Sequence, residues 1–176
     1  MITLEARRGQ AADGDAWAAV GLSRSGLARF LGEAQRAVGL SGEVDVLLAD
    51  DKTLRRLNRR FRGKDKATDV LSFPAAEEVA GAFAGGGHAG DLAISLDTAA
   101  RQAREHGHSL RDEVRVLLLH GLLHLSGMDH ETDRGEMAER EAELRGRLRL
   151  PSGLIARVDA VPGSKSRFPS GMKVKA

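Results

Sequence analysis

The chain has 176 residues, 41% of them hydrophobic and 30% charged, with a formal net charge of +2 at pH 7, which are the proportions of one globular domain with a real core. It has no cysteine, which excludes disulfides and thiolate metal sites and leaves His, Asp and Glu as the available metal ligands. Aromatic residues make up 3%, so there are few rings for stacking nucleic-acid bases, and no apolar run approaches the roughly 20 residues that span a bilayer.

At the N-terminus, MITLEARRGQ lacks the charged-then-apolar order of a secretory signal, so the expected compartment is the cytoplasm, with no membrane partner. Ile2 to Ala6 alternates apolar and polar residues as a half-buried strand does. Leu27, Phe30, Leu31, Ala34 and Val38 share one face of a helix predicted from Ser25 to Val38, with Gly39 as its C-terminal cap. Glu43 to Ala49 reads as a strand. Asp50 or Asp51 then caps a helix with Leu54, Leu57 and Phe61 on one face.

Residues 62–69 form a polar loop before a short strand, Val70 to Phe73, stopped by Pro74. The small and glycine-rich stretch that follows, including 81–87, is expected to be a mobile loop carrying His88. Asp91 to Ser95 reads as a strand and Leu96 to about His106 as a helix, with His106 and His108 as surface residues between helices. Ser109 starts a helix apolar almost all round, so this one should be central, and a last amphipathic helix runs from Arg134 to Leu148 with Asp133 as its N-cap. The expected product is a single α+β domain over residues 1–150. It would be one layer pair, a small, mostly mixed four-stranded sheet packed on about five helices, with a zincin-like histidine-bearing central helix. Residues 151–176 are expected to form a disordered tail, whose last fourteen residues hold four basic side chains and no acidic one, so that the rest of the chain sums to about −2.

The chemistry is concentrated in HGLLHLSGMDH, His120 to His130. His120 and His124 lie four residues apart on one helical face, about 6 Å along the axis, and Gly127 suits a chain reversal that returns His130 to them. Three neutral nitrogen ligands with an open fourth position describe a catalytic zinc site, one Zn²⁺ per chain. The spacing is that of the long zinc-protease signature, except that Gly121 stands where the glutamate base would be. A helical glycine costs about 0.8–1.0 kcal/mol relative to alanine, so Gly121 implies a need for space, either at the metal or in plain helix packing. Asp129 or Glu131 is the expected partner of a ligand imidazole. Without the glutamate, a phosphodiester is a better substrate than a peptide, because it asks for charge neutralisation, and Arg62 in a charged loop is the candidate cation.

Three segments, LNRRFRGKDKATDVLSFP (57–74), GDLAIS (90–95) and HGLLHLSGMDH (120–130), resemble the YbeY family of bacterial rRNA maturation factors. The resemblance implies an α+β fold with a small sheet, a single zinc on His120, His124 and His130, and single-strand-specific endoribonuclease activity in 16S rRNA 3′-end maturation and ribosome quality control. It implies Arg62, with the three histidines, as the catalytic set, and as partners single-stranded RNA, the 16S rRNA precursor, the small ribosomal subunit and its assembly factors. Departures are modest: Phe61 stands at the family's aromatic position before the arginine, and Ala67 where the family has proline. Water attack would leave a terminal phosphate, and attack by the substrate's 2′-OH a cyclic one. A ribosome-assembly RNA-binding factor with a structural zinc is the alternative function, and a metalloprotease the third.

Overall fold

The computed structural model describes residues 1–5, 17–75, 87–130 and 132–151. Among them are four strands: β1 (Ile2–Leu4), β2 (Glu43–Ala49), β3 (Val70–Pro74) and β4 (His88–Ser95). The helices packed on them are α1 (Arg24–Val38), α2 (Asp51–Arg62), α3 (Leu96–His106), α4 (Leu110–Leu125) and α5 (Glu136–Arg147). The sheet order is β1-β2-β4-β3, with β1 and β4 parallel to β2 and β3 antiparallel to β4, so the sheet is mixed as expected. The glycine-rich stretch up to residue 86 and the basic tail from 152 lie outside the described residues.

Local chemistry sets most boundaries. Ser23, Asp50, Ser95 and Ser109 each occupy an N-cap and accept a backbone N–H three residues on, which satisfies a donor the helix leaves open. Asp133 also caps α5, but from further out, because the helix starts two residues later than predicted. Its carboxylate accepts from Gly135 N at 2.9 Å and Met137 N at 2.8 Å. β1 stops at Leu4, short of the predicted Ala6, whereas β4 begins at His88, three residues early.

The expected single layer pair is incomplete, since helices cover both sheet faces. Val44, Val46, Leu48, Leu92 and Ile94 pack with α1 and α4 on one face. The alternate residues Leu47, Ala49, Leu71 and Ala93 pack with Leu54 and Leu57 of α2 on the other. Phe61, predicted to share that apolar face, is instead 57% exposed and meets Phe73 edge-on at 5.1 Å between ring centroids. α4 is the centre of the molecule: eleven of its sixteen residues are buried, and α5 closes its outer side through Leu119, Leu123, Met137 and Leu144. Each fully buried leucine contributes about 1.5–3 kcal/mol of transfer free energy, so α4 stays anchored while devoting one face to imidazoles.

Candidate metal centre

His120 and His124 project from the last turns of α4 toward one point. Their Nε2 atoms are 3.2 Å apart, and roughly 3.3 Å is expected for two ligands at 2.0–2.1 Å from a tetrahedral ion. The helix then ends in a left-handed turn. Gly127 has φ +92°, its N–H bonds to the His124 carbonyl at 3.0 Å, and the Met128 N–H bonds to the Leu123 carbonyl at 3.1 Å. That pair of bonds closes the helix with a glycine in the one conformation a side chain would strain. The reversal brings His130 back, with its ring centroid 5.3 Å from His120 and 5.2 Å from His124. One donor nitrogen from each of the three lies within 4.8 Å of the others.

The groups around the imidazoles suit a cation as well as the distances do. Burial pushes the Glu141 carboxyl up, but hydrogen bonds and charge from His120 and Arg145 outweigh it and hold its pKa below the ordinary value. Ionised, it accepts from His120 Nδ1 at 2.9 Å, which leaves the His120 Nε2 lone pair facing the cluster. Burial first, then the charges of His120 and His130, hold the His124 imidazole below its usual pKa, while a backbone hydrogen bond to Met128 acts the other way. Three ring nitrogens this close together call for a cation or a proton between them, and a nitrogen-only donor set suits a borderline ion such as zinc.

Burial is graded across the cluster: His120 is buried, His124 half-buried and His130 exposed. The open side therefore lies toward His130, where a substrate would approach. A second group, Asp45, His88 and Asp91, is more exposed, and the N-terminal ammonium already occupies Asp45 Oδ1 at 2.6 Å.

The partner of His120 is a residue that sequence reasoning misses. Of the two carboxylates expected to partner a ligand imidazole, Asp129 acts on His124 through its charge, and Glu131 lies outside the described residues. The carboxylate that bonds His120 is Glu141 of α5, which is 1% exposed, and its other oxygen accepts from Arg145 Nε at 2.8 Å. Arg145, itself 2% exposed, also donates to the Pro151 carbonyl at 2.6 Å. A signal for this was present: Glu141 follows Met137 by four and precedes Leu144 by three, so a carboxylate stands in the apolar stripe of α5. His108, expected on the surface, likewise turns inward to pair with the fully buried Glu113. His88 is a strand residue bonded to Asp91 at 3.2 Å, not a loop residue.

Gly121 is explained by packing. A Cβ there would stand 2.7 Å from Leu92 Cδ2 and 3.1 Å from Cδ1, so α4 is pressed against β4 with no room for a side chain. The position of the missing glutamate faces the sheet, and space for substrate is not the reason for the glycine. Arg62 ends α2, exposed, beside the αL residue Gly63. Among the described residues it makes no hydrogen bond or ion pair, either with the three histidines or with any other group.

Comparison with known proteins assigns the chain to a family. Residues 23–149 match the family model described as Endoribonuclease YbeY. Endoribonuclease YbeY of Koribacter versatilis is 55% identical over 137 residues, covering 78% of this chain and 85% of that protein. The protein of the same name from Solibacter usitatus is 50% identical over 139 residues, covering 79% and 88%. A solution structure from Thermotoga maritima aligns with a TM-score of 0.48 at 28% identity, over 85% of this chain and 92% of that one. With a family model spanning well over half its length and relatives at these identities, the chain belongs to the YbeY family of endoribonucleases.

Proposed function

We propose that this protein is a zinc-dependent, single-strand-specific endoribonuclease acting in 16S rRNA 3′-end maturation and ribosome quality control in the cytoplasm, in contact with the small ribosomal subunit and its assembly factors. The observation that carries the metal-dependent hydrolase is the convergence of three imidazole nitrogens on a face that opens toward solvent at His130. Bound there, zinc would supply Lewis-acid polarisation at the scissile phosphate. The chain's own residues do the rest. Glu141 fixes the tautomer and orientation of His120, Arg145 fixes Glu141, and the Gly127 turn holds His130 in reach.

Arg62 neutralises charge on the phosphoryl oxygens in this reading, and its freedom from any carboxylate among the described residues leaves its five N–H donors for phosphate. A folded, metal-loaded Arg62→Ala protein should lose cleavage of single-stranded RNA by about 10²–10³-fold, the size of losing one preorganised donor to a developing anion. Full activity of that variant would remove Arg62 from the mechanism. Mapping the cleaved ends decides between water and the 2′-OH as nucleophile, since a 2′,3′-cyclic phosphate arises only from the latter. Metal analysis of protein purified without added zinc identifies the ion.

A further inference from the structure

We infer that the outward face of α2 is a second RNA-binding surface, one that takes the phosphates of the substrate strand away from the metal centre. The inference rests on the endoribonuclease reading for its choice of ligand. Lys52, Arg55, Arg56, Arg59 and Arg60 recur at intervals of three and one, which places them in a single stripe about 12 Å long, and all five are exposed. They surround an open depression of about 470 Å³ whose other lining residue is Asp65. Arg62 continues the row from Arg55 and Arg59 at the C-terminal end, so the stripe leads to the residue placed at the scissile phosphate.

The charge is concentrated rather than spread. Residues 51–66 hold eight basic and two acidic side chains, a net +6, so the remaining 160 residues sum to −4. Both acids are engaged. Asp51 turns toward α3, accepting from Ser95, Thr98 and Arg101. Asp65 accepts from Arg55 Nε and Nη2 at 2.8 and 2.9 Å and also feels the charge of Arg59. Among the described residues Arg56, Arg59 and Arg60 have no ion pair. Arg60 lies over the Phe61 ring at 5.2 Å, and Arg56 reaches only Thr53 Oγ1, at 3.5 Å.

Helix stability does not account for this pattern. Lys52–Arg56, Arg55–Arg59 and Arg56–Arg60 are like-charge pairs at i, i+4, which repel, and Lys52 stands near the N-terminus, where the helix dipole disfavours a cation. Only Arg59, Arg60 and Arg62 in the last turn are favoured by the dipole. The face is also held in place: Asn58 Nδ2 donates to the Lys66 carbonyl at 2.8 Å, and the Arg55–Asp65 pair ties the 63–66 loop to the helix. A preorganised row of mostly arginine matches a ligand with one phosphate per residue, and arginine's planar fork suits phosphate oxygens.

The test uses the full chain, loaded with metal, and a quadruple variant, Arg55→Gln, Arg56→Gln, Arg59→Gln and Arg60→Gln, with circular dichroism to check the fold. Affinity for a 30-nucleotide single-stranded RNA is measured by anisotropy over a range of KCl, and cleavage of that RNA is compared with cleavage of a short oligonucleotide. The expected result is at least 10-fold weaker binding and a log Kd versus log salt slope flatter by about 0.7 for each phosphate no longer neutralised. KM on the long RNA should rise while kcat on the short one is unchanged, and the Arg→Lys series should restore the slope. Wild-type affinity and slope in the Gln variant would overturn the inference, as would an unchanged slope with lost binding to polyglutamate, which would assign the stripe to an acidic protein. If the slope flattens as expected but the wild-type chain cleaves no RNA, the stripe stands and the endoribonuclease reading fails.

Discussion

The α4–α5 side and the outward face of α2 both carry clusters of charged or ionisable groups, and they treat them in opposite ways. Between α4 and α5, Glu141 and Arg145 are almost fully buried and bonded to each other, with His120 on the remaining carboxylate oxygen. On α2, three arginines of the stripe have no ion-pair partner among the described residues and face solvent. Taking a charge out of water costs several kcal/mol unless a partner with good geometry replaces the water, so buried charge survives only when paired. Exposed charge has no such requirement and stays available for a ligand. The paired cluster holds the His120 imidazole in place, and the unpaired one is suited to meeting a polyanion.

Mutations separate the two regions, beginning with the strongest. His124→Ala should lower metal affinity by more than the roughly 10–100-fold lost with an outer hydrogen-bonding partner, and should abolish RNA cleavage, measured by metal content after dialysis and by a gel assay. Retention of one ion per chain would mean that the convergence of the three histidines is not a metal site.

Glu141→Ala strands Arg145 without its carboxylate, and the metal-free protein should lose about 3–5 kcal/mol in urea unfolding. The pH profile gives the same region a second test. The Glu141 pKa is lowered in the folded state, so its contribution is fully present above the unfolded carboxyl value, about 4.3, and is lost as pH falls through the lower native value. Below about pH 4.3, therefore, wild type should lose stability more steeply than Glu141→Gln. Parallel curves would refute an ionised, paired Glu141.

Gly121→Ala should cost about 1 kcal/mol, the net of overpacking against Leu92 and a better helix former. Shortening the neighbour, in Gly121→Ala with Leu92→Val, should recover part of it, and a stabilised single mutant would show that α4 is not pressed on β4. The smallest effect belongs to α2: Arg55→Gln breaks an exposed ion pair and should leave the thermal midpoint unchanged, because solvent and salt screen such pairs. A drop of several degrees would make the Arg55–Asp65 contact a structural element and weaken the contrast between the two faces.

Much of this was legible in the residues alone because it is local. Caps at Ser109 and Asp50, the strand Glu43–Ala49, the helix Leu96–His106 and the reversal at Gly127 each depend on side chains within a few positions of the backbone they satisfy. The histidine pair is local in the same sense, since four residues along a helix is one turn, and the sequence by itself determined that His120 and His124 share a face. The basic stripe was equally local, yet whole-chain charge hid it, because +6 over residues 51–66 cancels against the rest of the chain.

Tertiary structure alone decided what depended on contacts between distant segments. Glu141 meets His120 across 21 residues, and nothing in the spacing favours it over the nearer Asp129. Gly121 needs Leu92 to explain it, and only the fold shows Leu54 and Leu57 packed on the sheet while Phe61 is left 57% exposed. Periodicity tells which side chains lie on one side of an element, but only the packing of elements tells what that side touches. The three converging histidines were therefore readable from the chain, whereas the carboxylate that orients His120 was not.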